Sequence, residues 1–468
     1  MDGADPRDQR IAELTALVAA LGVRLAAALA RVAELEALLG KNSSNSSKPP
    51  SSDGPEVPPV SKPPTGRKRG GQPGHVGHKR ALVDNPDEVT KLIPSHCGSC
   101  AYPLEGVDPS PYRHQVWELP KTRARVAEWQ LHELGCPNCG ESTRAPLPPG
   151  VPLDTMGPRL KAVIATLRAK FRQSTQLTCD LLEDLFGVPL CPASVVAAQN
   201  SVSAALAAPV KEATDHVRQQ AVAHADETTW REGRKKAWLW TVGTLKVTVF
   251  VLALSRSGEV ARSLLEGFKG ILCTDRYTGY LWYPAWQRQV CWAHLKRDFQ
   301  ALVDRGGAGR EIGLGLLEQS HLMFEQWHRF KAGHISRQTL RARAAVIKSR
   351  VFGLLLKGTS CGQAKTAGTC KELVKLWPAL WTFVSREGVE PTNNRSEQDL
   401  RTAVIWRKLS FGSQSEAGSV FVARMLTTVV TMRHQKRNVL DFVTEACHAH
   451  LNGEPSPSLL PCEPTPTV

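Results

Sequence analysis

Three acidic side chains carry most of the chemical information in this sequence of 468 residues. Asp226 closes the run AVAHAD, Asp275 closes GILCTD, and Glu397 lies within PTNNRSEQDLR. The first two runs are apolar and predict strands that end in an acid, whereas the third predicts a helix. Carboxylates of this kind bind divalent ions, and a pair of such ions holds the attacking and leaving oxygens of a phosphodiester. The three acids therefore predict a site that cuts or joins nucleic acid.

Each acid also has a simpler interpretation. An aspartate after a strand caps a turn or a helix more often than it binds a metal. Arg276 would account for Asp275 through a surface ion pair, and Asn394 with Glu397 has the spacing of a capping box. The metal hypothesis requires all three side chains to meet in one fold.

The elements around the acids predict such a fold. From residue 218 the pattern reads as three strands in a meander, a short helix, a fourth strand, a helical stretch and a fifth strand. A helical insertion follows, at about 293–390. Its apolar residues predict the buried faces of two helices, at Ile312, Leu316, Met323, Phe324 and Trp327 and at Leu340, Ala344, Ile347 and Val351. Thr369 with Glu372 predicts a capping box that opens a third helix. This order predicts a ribonuclease-H-like mixed-sheet catalytic domain over 218–433, followed by a C-terminal helix and tail over 434–468. The chain as a whole is predicted to be a multidomain α/β protein.

Two cysteine pairs, Cys97-x-x-Cys100 and Cys136-x-x-Cys139, predict a zinc-binding, ribbon-like region over 90–148. Each pair places two thiolates on one turn, and four thiolates complete a tetrahedral zinc site. A disulfide or a coincidence of cysteines is the alternative. The remaining cysteines among the twelve are scattered singly, which is typical of a reducing cytoplasm and favours zinc.

The first 40 residues predict a coiled coil. Apolar residues repeat with heptad spacing, at Ile11, Val18, Leu25, Val32 and Leu39, and at Leu14, Leu21, Ala28 and Leu35. This pattern favours a parallel two-stranded coiled coil and hence a homodimer, and a single amphipathic helix packed on its own domain is the alternative. The sequence has neither a secretory signal pattern nor a run of about 18 uncharged apolar residues, so no membrane partner is expected.

Residues 41–89 are predicted to be a disordered linker with a basic arm. The formal net charge of the chain is +15, which favours nucleic acid as a partner. Candidate phosphate contacts in the arm are Arg67, Lys68, Arg69, Lys79 and Arg80. The alternative is a solvated linker.

Residues 155–212 predict a helical, helix-turn-helix-like unit. Short helical hairpins are common, so DNA reading and plain core packing are equally good explanations of this unit.

Several of these segments occur together in a familiar order: KNSSNSSKPPSSD, GGQPGHVGHKR, the two CxxC pairs, DETTW, TDRYTGY, CWAHLKRDF, NNRSEQDLR and FGSQSEAG. This string resembles the large transposase of the insertion sequence 66 family of bacterial mobile elements, from the coiled coil to about residue 445. The resemblance implies a DDE transposase that uses Mg²⁺ (or Mn²⁺), with Asp226, Asp275 and Glu397 as its acids. It also implies Zn²⁺ at the four paired cysteines. The chain departs from the family mildly at Cys191, Lys296 and Asp298.

The same resemblance implies hydrolysis at the transposon end to free a 3′-hydroxyl, followed by attack of that hydroxyl on target DNA. The expected partners are DNA ends, a second or further copy of the chain, and companion proteins of the same element, acting in the bacterial cytoplasm at the nucleoid. His224, Arg395, Arg401 and Arg407 are candidates for phosphate contacts. The alternative for His224 is a core histidine whose hydrogen bonds are satisfied within the fold. The alternative for Arg401 is a pair with Glu397 on the helix surface.

Two other functions remain open on the sequence alone. One is a DNA-bound regulator whose catalytic core is idle, and the other is a ribonuclease-H-like nuclease without strand transfer.

Overall fold

The computed structural model describes residues 6–42, 45–48, 74 and 80–461. The chain divides into two compact units, one of residues 58–124 and the other of residues 1–57 with 125–468. The predicted basic-arm residues Arg67, Lys68, Arg69 and Lys79 lie outside the described residues.

The smaller unit has no regular helix or strand in its described part. Side chains connect distant parts of this unit through one carbonyl: Arg113 Nη2 and Gln115 Nε2 donate to Val83 O at 2.7 and 2.8 Å. Arg80 is exposed and lies 5.3 Å from the centre of the Trp117 ring.

A long N-terminal helix, α1, runs over Pro6–Leu39. Its heptad positions are exposed in the single chain, with Leu14 at 47% and Leu25 at 62% exposure. By length and composition alone, its segment Arg10–Ala33 would be able to span a membrane, and the bent pair of helices at Pro192–Ala205 and Ala207–Arg218 meets the same criterion as one unit. Core helices meet this criterion too, and each helix of the second pair buries one side in the fold.

A short hairpin and four helices precede the main sheet. The hairpin pairs β1 (Glu133–Gly135) with β2 (Ser142–Arg144), and these are the only strands in the described part of the predicted ribbon region. The helices are α2 (Pro158–Ala169), α3 (Thr175–Phe186), α4 (Pro192–Ala205) and α5 (Ala207–Arg218). Buried residues of α2 and α4 belong to the same hydrophobic core as the sheet, so packing accounts for two helices of the helix-turn-helix-like unit.

The main sheet has five strands: β3 (Val222–Glu232), β4 (Lys235–Gly243), β5 (Thr248–Ala253), β6 (Ile271–Thr274) and β7 (Arg288–Val290). Their spatial order is β5-β4-β3-β6-β7. The first three form an antiparallel meander, whereas β6 and β7 add in parallel beside β3. A short helix, α6 (Gly258–Leu264), connects β5 to β6. The predicted mixed sheet with covering helices is confirmed.

One boundary differs from the prediction. Asp226 does not end its strand, because β3 continues to Glu232 and pairs with β4 along that length, with Asp226 opposite Thr241. The parallel partner β6 stops at Thr274, and Asp275 follows it directly, as predicted.

Five helices lie between β7 and the helix that carries Glu397: α7 (Trp292–Asp304), α8 (Gly307–Lys331), α9 (Arg337–Thr359), α10 (Ala364–Lys375) and α11 (Thr382–Ser385). They form a second hydrophobic core with Val290 of β7, in which the predicted apolar faces of α8 and α9 are buried. A predicted capping box at Thr369 and Glu372 is wrong. Helix α10 begins earlier, and Thr369 Oγ1 donates to Lys365 O inside it.

The last three helices are α12 (Asn394–Ser410), α13 (Glu416–Gln435) and α14 (Val439–Asn452). Helix α13 covers the edge strand β5, whose N–H groups would otherwise lack partners. Phe250 N donates to Thr427 Oγ1 at 2.9 Å, and Thr248 N donates to Thr431 Oγ1 at 3.1 Å. The buried carboxylate of Asp399 then ties α12 to both elements through Thr248 Oγ1 at 2.8 Å and His434 Nε2 at 2.8 Å.

Candidate active site

Two neighbouring parallel strands bring Asp226 and Asp275 together. The last paired residues of β3 and β6 are His224 and Cys273. Each aspartate lies two positions beyond its strand's last pair, so the two acids occupy equivalent positions on adjacent strands. Because alternate residues of a strand point to the same face, Asp226 also shares the face of His224.

Main-chain N–H groups hold the two carboxylates, and the guanidinium groups of Arg256, Arg276 and Arg288 attract the charge of Asp275 from farther away. Glu227 N donates to Asp226 Oδ1, and Tyr277 N donates to Asp275 Oδ1, both at 2.9 Å. Burial raises the pKa of Asp226 well above its ordinary value, and the negative charges of Asp275 and Glu227 raise it further. Neither aspartate forms an ion pair with any residue that the structure describes. Carboxylates crowded in this way are stabilised by a bound cation.

Asn393 places the third acid against the same strand. This side chain is 1% exposed, and its Nδ2 donates to Ala225 O at 2.8 Å while its Oδ1 accepts from His224 Nδ1 at 3.0 Å. Its main-chain N also donates to Cys291 Sγ at 3.1 Å. The start of α12 is thereby fastened beside Asp226, and Glu397 follows one turn later.

The surroundings of Glu397 exclude its simpler interpretation. Helix α12 begins at Asn394, its N-cap is Asn393, and no side chain makes a capping bond there, so the capping box with Asn394 is wrong. Glu397 Oε1 instead lies 3.4 Å from His294 Nδ1 of α7. The charge of Glu397 also contributes to the raised pKa of Asp226. Asp275 and Glu397 therefore both act electrostatically on Asp226.

A buried carboxylate beside the site was missed by reading the sequence. Glu227 Oε1 accepts from Arg256 Nη2 at 2.7 Å, and Glu227 Oε2 accepts from Tyr280 Oη at 2.8 Å. The Arg256 guanidinium in turn lies 3.9 Å from the centre of the Tyr277 ring. These contacts join the DETTW and TDRYTGY segments. Side chains alternate between the two faces of a strand, so the sequence already indicated that Glu227 faces away from Asp226.

Arg276 serves the insertion, not Asp275. Its Nε donates to Asp298 Oδ2 at 3.0 Å, and its Nη1 bonds to Glu372 of α10. The ion-pair explanation of Asp275 is therefore wrong. Asp298, one of the departures from the family pattern, has a structural role here.

Among the candidates for phosphate contacts, Arg395, Arg407 and His224 form hydrogen bonds within the fold, whereas Arg401 is exposed. Arg395 donates to the carbonyls of Thr244 and Leu245, and Arg407 donates to Thr229 and to Thr228 Oγ1, so both guanidinium groups are engaged within the fold. His224 is a satisfied core histidine whose pKa is lowered by burial. Arg401 is exposed and has no ion-pair partner among the described residues, so the suggested pair with Glu397 does not form.

Each CxxC pair forms a turn that activates its first thiol. In the smaller unit, N–H groups of Ser99 and Cys100 lower the pKa of Cys97. In the larger unit, N–H groups of Cys139 and Asn138 lower the pKa of Cys136 in the same way. Both turns therefore favour the thiolate, which is the form that binds a metal.

We expect the substitution Asn393→Ala to weaken both the fold and the site. It leaves Ala225 O and His224 Nδ1 buried without partners, and each such group costs about 1–3 kcal/mol. Any cleavage that depends on Glu397 should slow roughly 10–100-fold, as is typical when a residue that orients a metal ligand is lost. Thermal unfolding and single-turnover cleavage measure the two effects. The control is Asn394→Ala, which changes the exposed neighbouring asparagine. If Asn393→Ala were as stable as the wild type, the role given to Asn393 would be contradicted.

Known proteins provide an independent comparison for this arrangement. Residues 155–420 match the family described as Transposase IS66 family, which confirms the resemblance seen in the sequence, and residues 3–81 match a family of unknown function (DUF6444). Two similar proteins come from Sinorhizobium fredii (strain NBRC 101917 / NGR234) and are described as uncharacterized. The protein y4qI is 25% identical over 247 residues, or 47% of this chain and 45% of its own length. The protein y4hP is 24% identical over 406 residues, or 77% of this chain and 70% of its own length.

Proposed function

The chain belongs to the IS66 transposase family, and from this premise we propose that it cuts transposon ends and transfers the cut strands to target DNA. The observation that carries the proposal is that Asp275, directly after β6, and Glu397 of α12 both act electrostatically on the buried carboxyl group of Asp226 on β3. The chemistry we propose is that of a DDE transposase, with Asp226, Asp275 and Glu397 as its catalytic residues.

The strand order supports a ribonuclease-H-like core. Three antiparallel strands followed by two parallel ones, in the order β5-β4-β3-β6-β7, agree with the order expected for that fold. The first acid lies on the central strand, the second directly after the adjacent strand, and the third on a later helix. This correspondence favours a nuclease or transposase over a protein that only binds DNA.

The residues at the site fit Mg²⁺ or Mn²⁺. Carboxylate oxygens are the ligands that these ions prefer, and the pKa of Asp226 is raised by burial and, after it, by the negative charges of Asp275 and Glu227. Asp226, Asp275 and Glu397 would hold the ions, which when bound activate the attacking oxygen and stabilise the leaving one. The chain's own contribution is to fix the carboxylates, through the N–H groups of Glu227 and Tyr277 and through Asn393.

The partners we propose are DNA and a second copy of the chain. A net charge of +15 suits a polyanion, and the exposed Arg401 lies one turn beyond Glu397 on α12. The exposed heptad residues of α1 favour pairing of two chains as a coiled coil, and larger assemblies and companion proteins would add to this dimer. Work on chromosomal DNA would place the protein at the nucleoid in the bacterial cytoplasm.

Cleavage and joining of DNA that carries the terminal repeats of the element test this function. We expect Mg²⁺- or Mn²⁺-dependent nicking that frees a 3′-hydroxyl, followed by products in which that end is joined to target DNA. End-specific binding without cleavage under either metal would instead favour the idle regulator. Cleavage without joined products would favour the ribonuclease-H-like nuclease.

We also propose that Cys97, Cys100, Cys136 and Cys139 bind zinc, because main-chain N–H groups lower the pKa of the first thiol in each CxxC turn. Purified, reduced protein should contain one zinc ion per chain at these cysteines. Replacing Cys136 and Cys139 with serine should remove it, and Cys447→Ser, which changes a buried cysteine in α14, should not. Metal analysis that finds no zinc in the wild-type protein would contradict the assignment.

A further inference from the structure

A second group of potential metal ligands adjoins the three acids. Cys291 Sγ, His294 Nδ1 and a carboxylate oxygen of Glu397 all lie within 4.8 Å of one another. Cys291 is the N-cap residue of α7 and His294 lies in the first turn of that helix, while Glu397 approaches from α12. Two helices fastened together by the bond from Asn393 N to Cys291 Sγ thus present the three donors.

The imidazole in this group has an unused buried nitrogen. His294 Nδ1 is inaccessible to solvent and has no hydrogen-bond partner in the part of the chain that the structure describes. It faces Glu397 Oε1 at 3.4 Å, and the two side chains as wholes keep 24% and 40% exposure, so the group lies near the surface. A buried nitrogen that lacks a partner is costly, so a bound ligand at this position would stabilise it.

The donor types indicate which ion would bind. A thiolate with an imidazole and a carboxylate is a set that Zn²⁺ accepts, whereas Mg²⁺ takes oxygen ligands and avoids sulfur. Tetrahedral zinc with its usual bond lengths separates its ligand atoms by roughly 3.3–3.6 Å. His294 Nδ1 and Glu397 Oε1 already lie at such a separation, 3.4 Å, and Cys291 Sγ, within 4.8 Å of both, needs to approach them by about 1 Å at most. Zinc sites with three protein ligands keep a fourth position for water.

We propose that Cys291, His294 and Glu397 form a Zn²⁺ site that shares Glu397 with the catalytic acids. On binding, the Cys291 thiol proton is released to solvent and the sulfur–zinc bond forms. Because one carboxylate then serves zinc, Glu397 is withdrawn from the oxygen-only site, and zinc inhibits Mg²⁺-dependent cleavage. This inhibitory consequence rests on the proposed function, whereas the binding site itself does not.

Cobalt titration of the full chain tests the binding site without any DNA. Co²⁺ occupies zinc sites, and a thiolate ligand gives it an ultraviolet charge-transfer absorbance. We expect wild-type protein to bind one more Co²⁺ than Cys291→Ser or His294→Gln, with a matching loss of thiolate absorbance in Cys291→Ser. The matched control is Cys370→Ser, a buried cysteine of α10, which should bind as wild type does. Equal Co²⁺ binding by the wild type and both site variants, each shown to be folded by circular dichroism, would overturn the proposal.

Zinc inhibition tests the shared carboxylate. In the cleavage assay, added Zn²⁺ should inhibit wild type at least tenfold more strongly than Cys291→Ser, with each protein compared to its own rate without zinc. Equal inhibition of the two proteins would overturn the sharing of Glu397. Absence of cleavage by wild type under all conditions, with the Co²⁺ result as expected, would count against the proposed function and for the metal site.

Discussion

The substitution Asp275→Asn should abolish Mg²⁺-dependent nicking and leave DNA binding intact. Asp275 directly follows the parallel strand β6 beside Asp226 and forms no ion pair with any described residue, so its carboxylate oxygens are available to a metal. An amide in its place keeps the shape and the acceptor for Tyr277 N but removes that charge. Metal stabilisation of a transition state is worth several kcal/mol, so the nicking rate should fall roughly 10³-fold.

Single-turnover cleavage and a gel shift on the same terminal-repeat DNA measure the two properties separately. The matched control is Asp441→Asn, which changes an exposed aspartate of α14 by the same atoms and should cleave as wild type does. Undiminished nicking by Asp275→Asn would refute the assignment of the three acids. Loss of DNA binding together with nicking would mean that the substitution disturbs more than the metal site.

Much of the sheet was predictable because its information is local. The run ending in Asp275 alternates little and is apolar throughout, as a strand buried on both faces requires, and β6 ends one residue before that acid. The faces of α8 and α9 were likewise predictable, because their apolar residues recur at helical spacing and are the residues that the insertion buries.

Strand length was not predictable, because it depends on partners far away in the chain. The pattern before Asp226 ends at a charged residue, which predicts the end of a strand. In the structure β4 pairs with β3 beyond that point, as far as Glu232 opposite Lys235. Asp226 thus carries an ionisable group in the interior of a strand. The local sequence pattern argues against such a position, but a functional site allows it.

The role of Asn393 shows a similar limit. Both Asn393 and Asn394 fit a helix start, and the spacing of Asn394 to Glu397 pointed to the wrong one. The side chain of Asn393 binds Ala225 O and His224 Nδ1, which precede it by more than 160 residues. No pattern within a helix reveals such a bond.

The start of α10 was misplaced for the same reason. Gln363, its N-cap residue, is tied by side-chain bonds to Gly306 O at 3.1 Å and to Gly309 N at 3.0 Å. This contact begins the helix before Thr369. Tertiary contacts overrode a correctly spaced local motif here.

A gain in stability is the expected result of Asp226→Asn in the metal-free protein. The pKa of Asp226 is raised by burial and by neighbouring carboxylates, so its charged form costs the fold free energy. A carboxyl group with a raised folded pKa binds more protons in the folded state. Its contribution to stability therefore falls as the pH rises from the ordinary aspartate range through the folded pKa. The asparagine carries no charge, and its Oδ1 still accepts from Glu227 N.

At neutral pH we expect Asp226→Asn to be more stable than wild type by about 1 kcal/mol, or roughly 2–4 °C in the midpoint for a domain of this size. Wild type should lose stability with rising pH more steeply than the variant. Added Mg²⁺ should raise the midpoint of wild type and not that of Asp226→Asn, since the ion binds only the folded, charged site. Asp441→Asn again serves as the control, with the wild-type response to both pH and Mg²⁺.

A lower midpoint for Asp226→Asn with an undiminished Mg²⁺ response would contradict this account, because Asp226 would then be a structural acid. The expected result would instead show that Asp226 is not a structural acid. Burial of the Asp226 carboxylate, together with its repulsion by Asp275 and Glu227, would then lower the stability of the metal-free fold, and a bound cation would relieve that cost. The substitution Asp226→Asn removes this unfavourable charge, and bound Mg²⁺ neutralises it. The variant that has gained stability by losing the charge should therefore gain no further stability from Mg²⁺.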